Sequence, residues 1–208
     1  MSDSRNITVA AFDFDGTLTR RDSLLPFLSH FSGMFRFAMG MLRMSPVLSA
    51  YAIGYLQNDV AKEKVLKYFL GGCELSEIEV QGEIFAHAIL PKLQCPIAMK
   101  RLEWHKNQGH LCILVSASLA HYLDPWAKNA GFDHVLASRL DVDSDGRITG
   151  KLVGGNCFGE QKAKRIKAYL TDQGEYSLYA YGDSRGDKEM LEMADFAYYK
   201  TMPTDGVE

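Results

Sequence analysis

Two carboxylates one residue apart, Asp13 and Asp15, follow an apolar run that spans residues 7–12. The run is rich in β-branched residues and predicts a buried strand. Gly16 and Thr17 come next and favour a turn directly after the strand. Ligands of open α/β sheets bind at the carboxyl ends of the strands, so this pair of acids predicts a metal site that supports chemistry.

Four more residues are placed to join these acids. Ser116 follows one short apolar run, and Asp183 and Asp187 follow another. The carboxyl ends of parallel strands lie along one edge of a sheet, so these side chains are expected to converge. Lys162, near the start of a predicted helix, is placed to reach the same edge. Such a set favours Mg²⁺ with a phosphate beside it, because Mg²⁺ binds carboxylate and phosphate oxygens.

Strands alternate with helices over most of the chain, which predicts a parallel sheet with helices on both faces. A helical block at residues 22–90 interrupts this alternation after the first strand. Pro46 is expected to break or kink a helix inside the block. Asp145-Gly146 predicts a hairpin turn. The predicted helices span 24–31, 34–42, 47–56, 58–69, 77–90, 97–108, 119–130, 161–170 and 188–193, and the predicted strands span 7–12, 111–115, 134–137, 139–143, 147–153, 178–181 and 196–199.

Composition bounds the class of protein. With 208 residues, 47% of them hydrophobic, the chain is long enough for one large domain or a domain with a smaller insertion. The net charge of −3 gives no reason to expect a nucleic acid as partner. The four cysteines show no CxxC spacing, and the first residues lack a basic-then-apolar signal sequence. Both features favour a cytoplasmic protein. No sequence pattern predicts an oligomeric state.

Four motifs follow one another in a characteristic order. They are Asp-Phe-Asp-Gly-Thr (13–17), Ser-Ala-Ser (116–118), Lys162 and Gly-Asp-Ser-Arg-Gly-Asp (182–187). In type and order they resemble the motifs of the haloacid dehalogenase superfamily of phosphatases. The resemblance extends over nearly the whole chain. It implies an α/β fold with a Rossmann-like parallel-sheet core and a helical, C1-type cap inserted after the first strand.

Within that superfamily, the helical block resembles the cap of the phosphoserine-phosphatase-like branch, subfamily IB. Residues 115–118, 143–150 and 181–184 are similar to bacterial hydrolases that include phosphatidylglycerophosphate phosphatases. The domain boundaries that follow are 1–18 and 92–208 for the core and 19–91 for the cap.

The resemblance also implies a role for each motif residue. Asp13 would attack phosphorus and form an aspartyl-phosphate, and Asp15 would protonate the leaving group and later deprotonate a water molecule. The substrate and its phosphate would contact Gly16, Thr17, Ser116, the Ala117 backbone N–H, Lys162 and Asp22. Mg²⁺ would be held by Asp13, the Asp15 backbone carbonyl and Asp183, with Asp187 binding directly or through water.

Two of these assignments have a structural alternative. Asp22 stands where phosphoserine phosphatases place an acid that meets the substrate amine, but it would also cap the following helix. Asp187 either serves the metal or caps the helix that begins at Lys188. One position departs from the family pattern. Phosphoserine phosphatases usually carry Asn before the last Asp, and Gly186 stands here. This departure argues against phosphoserine itself as substrate.

The predicted cap is basic although the chain is acidic. Residues 20–67 contain seven basic and three acidic residues, a local charge of +4. Its apolar segments are too short to span a bilayer. A basic amphipathic element is able to lie on a membrane surface, which would make the protein peripheral to the inner face of the membrane. The alternative is that these apolar faces pack the cap against itself.

The predicted function is therefore a Mg²⁺-dependent phosphomonoester hydrolase whose substrate is a small-molecule or lipid-headgroup phosphate. One alternative is a phosphatase for an amino-alcohol phosphate such as phosphoserine or histidinol phosphate. A second, of a different class, is a non-catalytic phosphate-binding scaffold; the intact pair Asp13 and Asp15 argues against it.

Overall fold

A six-stranded sheet forms the centre of the computed structural model, which describes residues 7–204. The strand order is β4-β3-β2-β1-β5-β6, and every neighbouring pair is parallel except β3 and β4. The predicted α/β class with a Rossmann-like parallel sheet is confirmed. The strands are β1 (Ile7–Phe12), β2 (Leu111–Leu119), β3 (His134–Val142), β4 (Ile148–Val153), β5 (Tyr176–Gly182) and β6 (Phe196–Tyr199).

Helices occupy the chain between β1 and β2 and alternate with the later strands. Within the described residues, the predicted helical block contains no strand of the sheet. The helices are α1 (Leu24–Ser32), α2 (Met34–Ala52), α3 (Asn58–Leu70), α4 (Leu75–Ala88), α5 (Leu90–Leu93), α6 (Pro96–Asn107), α7 (Ala120–Ala130), α8 (Glu160–Leu170) and α9 (Lys188–Glu192).

The central strand β1 is buried on both faces. Val9 and Ala11 share a hydrophobic cluster with Ile166 of α8, whereas Ala10 and Phe12 belong to the cluster on the opposite face. This alternation follows from the two-residue period of a strand. Helices therefore pack on both faces of the sheet at β1.

The inserted helices contribute to the hydrophobic cluster that contains Ala10 and Phe12. Phe27 of α1 and Phe85 of α4 pack on Tyr122 of α7, with ring centroids 4.9 and 5.3 Å from the Tyr122 ring. Such edge-to-face and tilted aromatic pairs add to the apolar burial. The division into a core and a cap at residues 19–91 stays a prediction.

Pro46 does not end its helix, contrary to the expected break. Helix α2 runs without interruption from Met34 to Ala52. A proline inside a helix leaves the carbonyl four residues earlier without its amide donor. Here the hydroxyl of Ser45 donates to the Leu42 carbonyl at 2.7 Å and replaces that donor.

The predicted hairpin at Asp145-Gly146 is confirmed, and its first strand is longer than expected. Two segments predicted separately, 134–137 and 139–143, form the single strand β3. Arg139 pairs with Val153 of the antiparallel strand β4. The first half of β3 pairs in parallel with β2 and the second half pairs antiparallel with β4, so one strand serves two neighbours.

Candidate active site

The strand ends bring the motif residues to one edge of the sheet. Phe12, the last residue of β1, pairs with Leu114 of β2 and with Tyr181 of β5. The next residue, Asp13, donates its backbone N–H to the Tyr181 carbonyl at 2.9 Å. Residues just beyond these pairs in β2 and β5 are therefore level with Asp13, as the sequence predicts.

Gly16 permits the turn that follows β1. Its φ of 86° lies in the left-handed region, and a Cβ atom at this position would overlap the carboxylate of Asp183. A side chain here would be strained and would displace an acid of the site. Thr17 is buried beside it, and its hydroxyl has no hydrogen-bond partner among the described residues.

Lys162 is the buried cation of the site. Its Nζ lies 2.5 Å from Oδ1 of Asp13 and 2.5 Å from Oδ1 of Asp187. All three side chains are nearly inaccessible to solvent. Removal of the ammonium would leave the buried carboxylates of Asp13 and Asp187 without a compensating charge, so Lys162 holds the site together.

Asp187 does not cap the helix that begins at Lys188. Its Oδ2 accepts hydrogen bonds from the backbone N–H and the hydroxyl of Ser184, at 2.9 and 2.8 Å. Its Oδ1 accepts a hydrogen bond from the Lys162 ammonium. Helix α9 has no side-chain cap at Asp187. The alternative that Asp187 caps the helix beginning at Lys188 was therefore wrong. Asp187 instead organises the loop after β5 and orients Lys162.

The acids form a cluster that fits a divalent cation. One carboxylate oxygen from each of Asp13, Asp183 and Asp187 lies within 4.8 Å of the others. Oδ1 of Asp183 and Oδ1 of Asp15 are buried and have no hydrogen-bond partner within residues 7–204. A buried carboxylate oxygen without a partner costs free energy, and hard oxygen donors of this kind are the ligands that Mg²⁺ prefers.

Burial raises the pKa of Asp13 to about 7, against the opposing effect of Lys162. The Asp187 carboxylate adds to the rise. For Lys162, burial works to lower the pKa, but the carboxylates of Asp13 and Asp187 outweigh it and raise the pKa above its ordinary value. Lys162 therefore stays charged, while Asp13 takes up a proton readily when no further cation is present.

Asp15 lies in a different environment from Asp13. Its Oδ2 accepts a hydrogen bond from the hydroxyl of Ser118, which in turn contacts the Ser23 hydroxyl at 3.2 Å. Burial raises the pKa of Asp15 to about 6, and the nearby Asp22 carboxylate adds to the rise. A carboxyl group with a pKa close to neutrality is suited to both giving and taking a proton.

The remaining predicted residues lie around the same cavity of about 330 Å³, which Asp13, Asp15, Asp22, Ser116, Ala117 and Lys162 all line. The hydroxyl of Ser116 accepts the backbone N–H of Ser118 at 3.0 Å and so shapes the turn at the end of β2. Asp22 accepts the N–H of Leu25 at 3.1 Å, so its role as a helix cap is confirmed. Its position in the cavity wall leaves substrate contact open as well.

Two polar residues of this cavity were not predicted from the sequence. Lys62 of α3 donates to the Ala117 carbonyl and, at 2.9 Å, to Oδ1 of Asn156. Both residues line the cavity. Lys62 is one of three lysines in a charged helix with Lys64 and Lys67, and no local pattern separates it from them. Only the packing of α3 selects the lysine that enters the site.

Comparisons with known sequences show the family of the chain. The model of the haloacid dehalogenase-like hydrolases matches residues 10–192. Protein CicA of Caulobacter vibrioides is 35% identical over 192 residues, which cover 92% of this chain and 85% of CicA. A probable phosphatase of Mycobacterium tuberculosis is 32% identical, with 91% of this chain and 67% of the relative covered. The histidinol-phosphatase of Neisseria meningitidis is 24% identical, with 89% and 86% covered.

Solved structures share the fold. A Bordetella pertussis protein of unknown function superposes with a TM-score of 0.79 at 27% identity, over 90% of this chain and 86% of that one. A substrate-bound phosphoserine phosphatase superposes with a TM-score of 0.65 at 16% identity, over 94% and 86%. With the family match over most of its length, the chain belongs to the haloacid dehalogenase-like hydrolases, as its four motifs predicted.

Proposed function

We propose that this phosphatase of the haloacid dehalogenase family is a Mg²⁺-dependent phosphomonoester hydrolase that works through an aspartyl-phosphate on Asp13. The observation that carries the proposal is the arrangement around Asp13. A buried ammonium holds this carboxylate at 2.5 Å, two further acids lie beside it, and Asp15 lines the same cavity. Membership of the family makes the protein a hydrolase of the phosphatase class.

In the first step, a carboxylate oxygen of Asp13 attacks phosphorus and the bond to the leaving oxygen breaks. The Asp15 carboxyl gives its proton to that oxygen, so an alcohol leaves. Lys162, the Ser116 hydroxyl and the Ala117 backbone N–H hold the phosphoryl oxygens. Positioning and charge stabilisation of this kind dominate phosphoryl transfer.

In the second step, the Asp15 carboxylate takes a proton from water, the water oxygen attacks phosphorus, and the Asp13 carboxylate is released with inorganic phosphate. Asp15 returns to its protonated form. The pKa of about 6 for Asp15, raised mainly by burial, keeps both forms accessible near neutrality.

Asp13, Asp183 and the Asp15 backbone carbonyl are the groups that would hold Mg²⁺, with Asp187 direct or through water. When bound, the ion supplies positive charge that offsets repulsion between the carboxylates and the phosphate dianion. The unpaired oxygen of Asp183 supports this assignment, because it has no other partner within the described residues.

Residues 19–91 would form the cap and determine substrate choice. Leu24, Leu48, Tyr51 and Val65 give the cavity an apolar wall, and Lys62 adds a second cation. A small-molecule or lipid-headgroup phosphate monoester with an apolar or anionic leaving group suits this lining. Cap closure would exclude water during the first step.

An amino-alcohol phosphate is the alternative substrate, and two observations bear on it. Asp22 lines the cavity, where a carboxylate would pair with a substrate amine, and one relative is named a histidinol-phosphatase. For phosphoserine the position before the last acid argues otherwise. A Cβ atom on Gly186 would overlap the ring of Phe158, so no side chain fits there to hold substrate.

Hydrolysis of an aryl phosphate with and without Mg²⁺ tests the proposal. We expect turnover only with the metal. The Mg²⁺ concentration that gives half-maximal turnover should increase about tenfold for each pH unit below pH 7. The reason is that burial raises the pKa of Asp13 to about 7, so below this pH the metal must displace a proton. Calorimetry in two buffers should detect about one proton released at pH 6. Turnover without a metal, or a requirement that is constant from pH 5 to pH 8, would contradict the mechanism; no turnover at all would favour the non-catalytic scaffold.

We further propose that α2 rests on an anionic membrane surface. Six large apolar side chains of α2 and the turn after it are more than half exposed, at 51–82%: Met34, Phe35, Met39, Leu42, Ile53 and Tyr55. No acidic residue occurs between Asp22 and Asp59, whereas Arg36 and Arg43 lie on α2. An apolar, purely cationic helix surface is complementary to an anionic lipid headgroup layer. No helix of the described residues is long and apolar enough to cross a bilayer.

Co-sedimentation with vesicles tests this contact. We expect binding to vesicles that contain phosphatidylglycerol and not to neutral ones. Phe35→Ser with Leu42→Ser should abolish binding, and each of Arg36→Glu and Arg43→Glu should weaken it at least about fivefold. Ile97→Ser is the matched control, because Ile97 is an apolar residue of α6 that is also more than half exposed, and this variant should bind normally. Equal binding to neutral vesicles would refute the proposal. So would a dimer that the Phe35 and Leu42 substitutions dissociate, because a second copy would then cover this surface.

A further inference from the structure

Asn156 is a buried amide that joins the inserted helices to the rest of the molecule. It lies in the loop between β4 and α8 and is 2% exposed. Its Oδ1 accepts from the Ser138 hydroxyl at 2.8 Å and from Nζ of Lys62 at 2.9 Å. Its Nδ2 donates to Oδ1 of Asn58 at 2.6 Å. The contact with Ser138 anchors the amide to β3, and the other two contacts reach α3.

The two partners on α3 present a single face to Asn156. Asn58 and Lys62 are four residues apart, so they are neighbours on one side of the helix. Asn58 also donates to the hydroxyl of Tyr51 at 3.1 Å, which links the end of α2 to the same network. The Asn156 amide therefore ties α3 and the end of α2 to the cavity wall, in addition to the contact of Glu63 on α3 with the Leu152 N–H of β4.

Lys62 extends the network to the phosphate-binding loop. Its ammonium donates to the Ala117 carbonyl as well as to Asn156. Ala117 stands between Ser116, whose hydroxyl shapes the turn, and Ser118, which donates to Asp15. The position of the Lys62 ammonium is thus coupled to the orientation of the peptide that is to meet the phosphoryl oxygens.

The acceptor for this ammonium is an amide and not a carboxylate, which matters electrostatically. An amide oxygen fixes the ammonium without cancelling its charge. Burial lowers the pKa of Lys62 to about 8, while Asp15, Asp22, Cys157 and Asp59 act to raise it. The ammonium therefore keeps its charge at neutral pH and places a positive charge in the wall of the cavity.

We propose that Asn156 is a positioning residue for the phosphatase reaction, which fixes Lys62 of α3 against the Ala117 peptide and so aligns the inserted helices with the phosphate-binding loop. The proposal rests on the proposed function only in its kinetic part. Among the described residues the Asn156 side chain hydrogen-bonds Ser138, Asn58 and Lys62 and none of the acids, so it acts through Lys62.

Kinetics of Asn156→Ala, Lys62→Met and the double variant test the coupling. The loop contacts the phosphoryl group in both the ground state and the transition state, so each single change should raise KM for an aryl phosphate about tenfold with kcat nearly unchanged. Because both residues act through one contact, the double variant should show the same tenfold rise and not about a hundredfold. Arg147→Ala is the matched control. Arg147 bridges the two parts far from the cavity by donating to the Gly72 carbonyl at 2.9 Å, and its loss should leave KM unchanged.

Hydrogen exchange gives a second measurement that does not depend on activity. Amides of α3 near Asn58 and Lys62 should exchange at least about tenfold faster in Asn156→Ala, whereas Arg147→Ala should affect only residues near 72–75. A hundredfold rise in KM for the double variant, or the same behaviour in Asn156→Ala and Arg147→Ala, would overturn the proposal. If the two variants show this exchange pattern but the wild-type protein shows no turnover, the coupling stands and the proposed function fails.

Discussion

Asp13→Asn should lower kcat for an aryl phosphate by about 10⁴-fold or more, while the protein stays folded. The amide has nearly the same shape as the carboxylate but is no nucleophile, so the aspartyl-phosphate cannot form. Lys162 keeps its second partner, Asp187, at 2.5 Å, so the buried ammonium remains paired. The loss should therefore appear in chemistry and not in the free energy of unfolding.

Steady-state kinetics and trapping of the acyl phosphate measure this effect. Brief reaction followed by acid quench should yield a hydroxylamine-sensitive phosphoenzyme in the wild type and none in Asp13→Asn. Asp143→Asn is the control, because Asp143 is an acid of the exposed hairpin whose carboxylate accepts two backbone N–H groups. It should retain full activity. Substantial turnover in Asp13→Asn would place the nucleophile elsewhere.

Lys162→Met should destabilise the protein by about 3–5 kcal/mol and lower kcat/KM about 10³-fold. The substitution keeps the length of the side chain but leaves the buried carboxylates of Asp13 and Asp187 without their cation. Urea unfolding measures the change in the free energy of unfolding. Lys164→Met is the control two residues away. Its ion pair with Glu160 is exposed, so the change in stability should be within about 0.5 kcal/mol.

The pH dependence of this destabilisation has a defined sign. The pKa of Asp13 is already raised to about 7 by burial, and loss of Lys162 removes an effect that lowers it. A folded-state pKa above the unfolded value contributes stability at low pH that is lost as pH rises through the folded value. Without metal, the difference in the free energy of unfolding between Lys162→Met and the wild type should therefore be smallest near pH 5 and largest near pH 8. Equal differences at both values would show that the cost is one of packing and not of charge.

Local patterns along the chain were sufficient to predict which polar residues meet at the sheet edge. Asp13 follows β1 and Asp183 follows β5, while Ser116 lies two residues beyond Leu114, the partner of Phe12 in β2. Parallel strands in register bring such positions to one edge whatever the intervening sequence. For this reason the chemistry of the site and the α/β fold could be inferred before any coordinates were known.

Local patterns failed where a competing contact decided the outcome. Pro46 remained inside α2 because the Ser45 hydroxyl supplies the missing donor to the Leu42 carbonyl. Capping of the helix at Lys188 was one of two alternatives for Asp187, but its carboxylate accepts hydrogen bonds from Lys162 and Ser184 instead. In each case the deciding partner is a side chain whose orientation no propensity describes.

The sequence by itself determined the acids and the strands that they follow, because these acids and strands are adjacent in the chain, and it placed Lys162 near the start of a helix. Only the tertiary structure selected Lys62 from three lysines of α3 and placed Asn156 beneath it, 94 residues away in sequence. Contacts of that separation depend on how α3 packs over the sheet edge. That packing is set by the summed burial of apolar faces, to which no single residue of the network contributes a recognisable pattern.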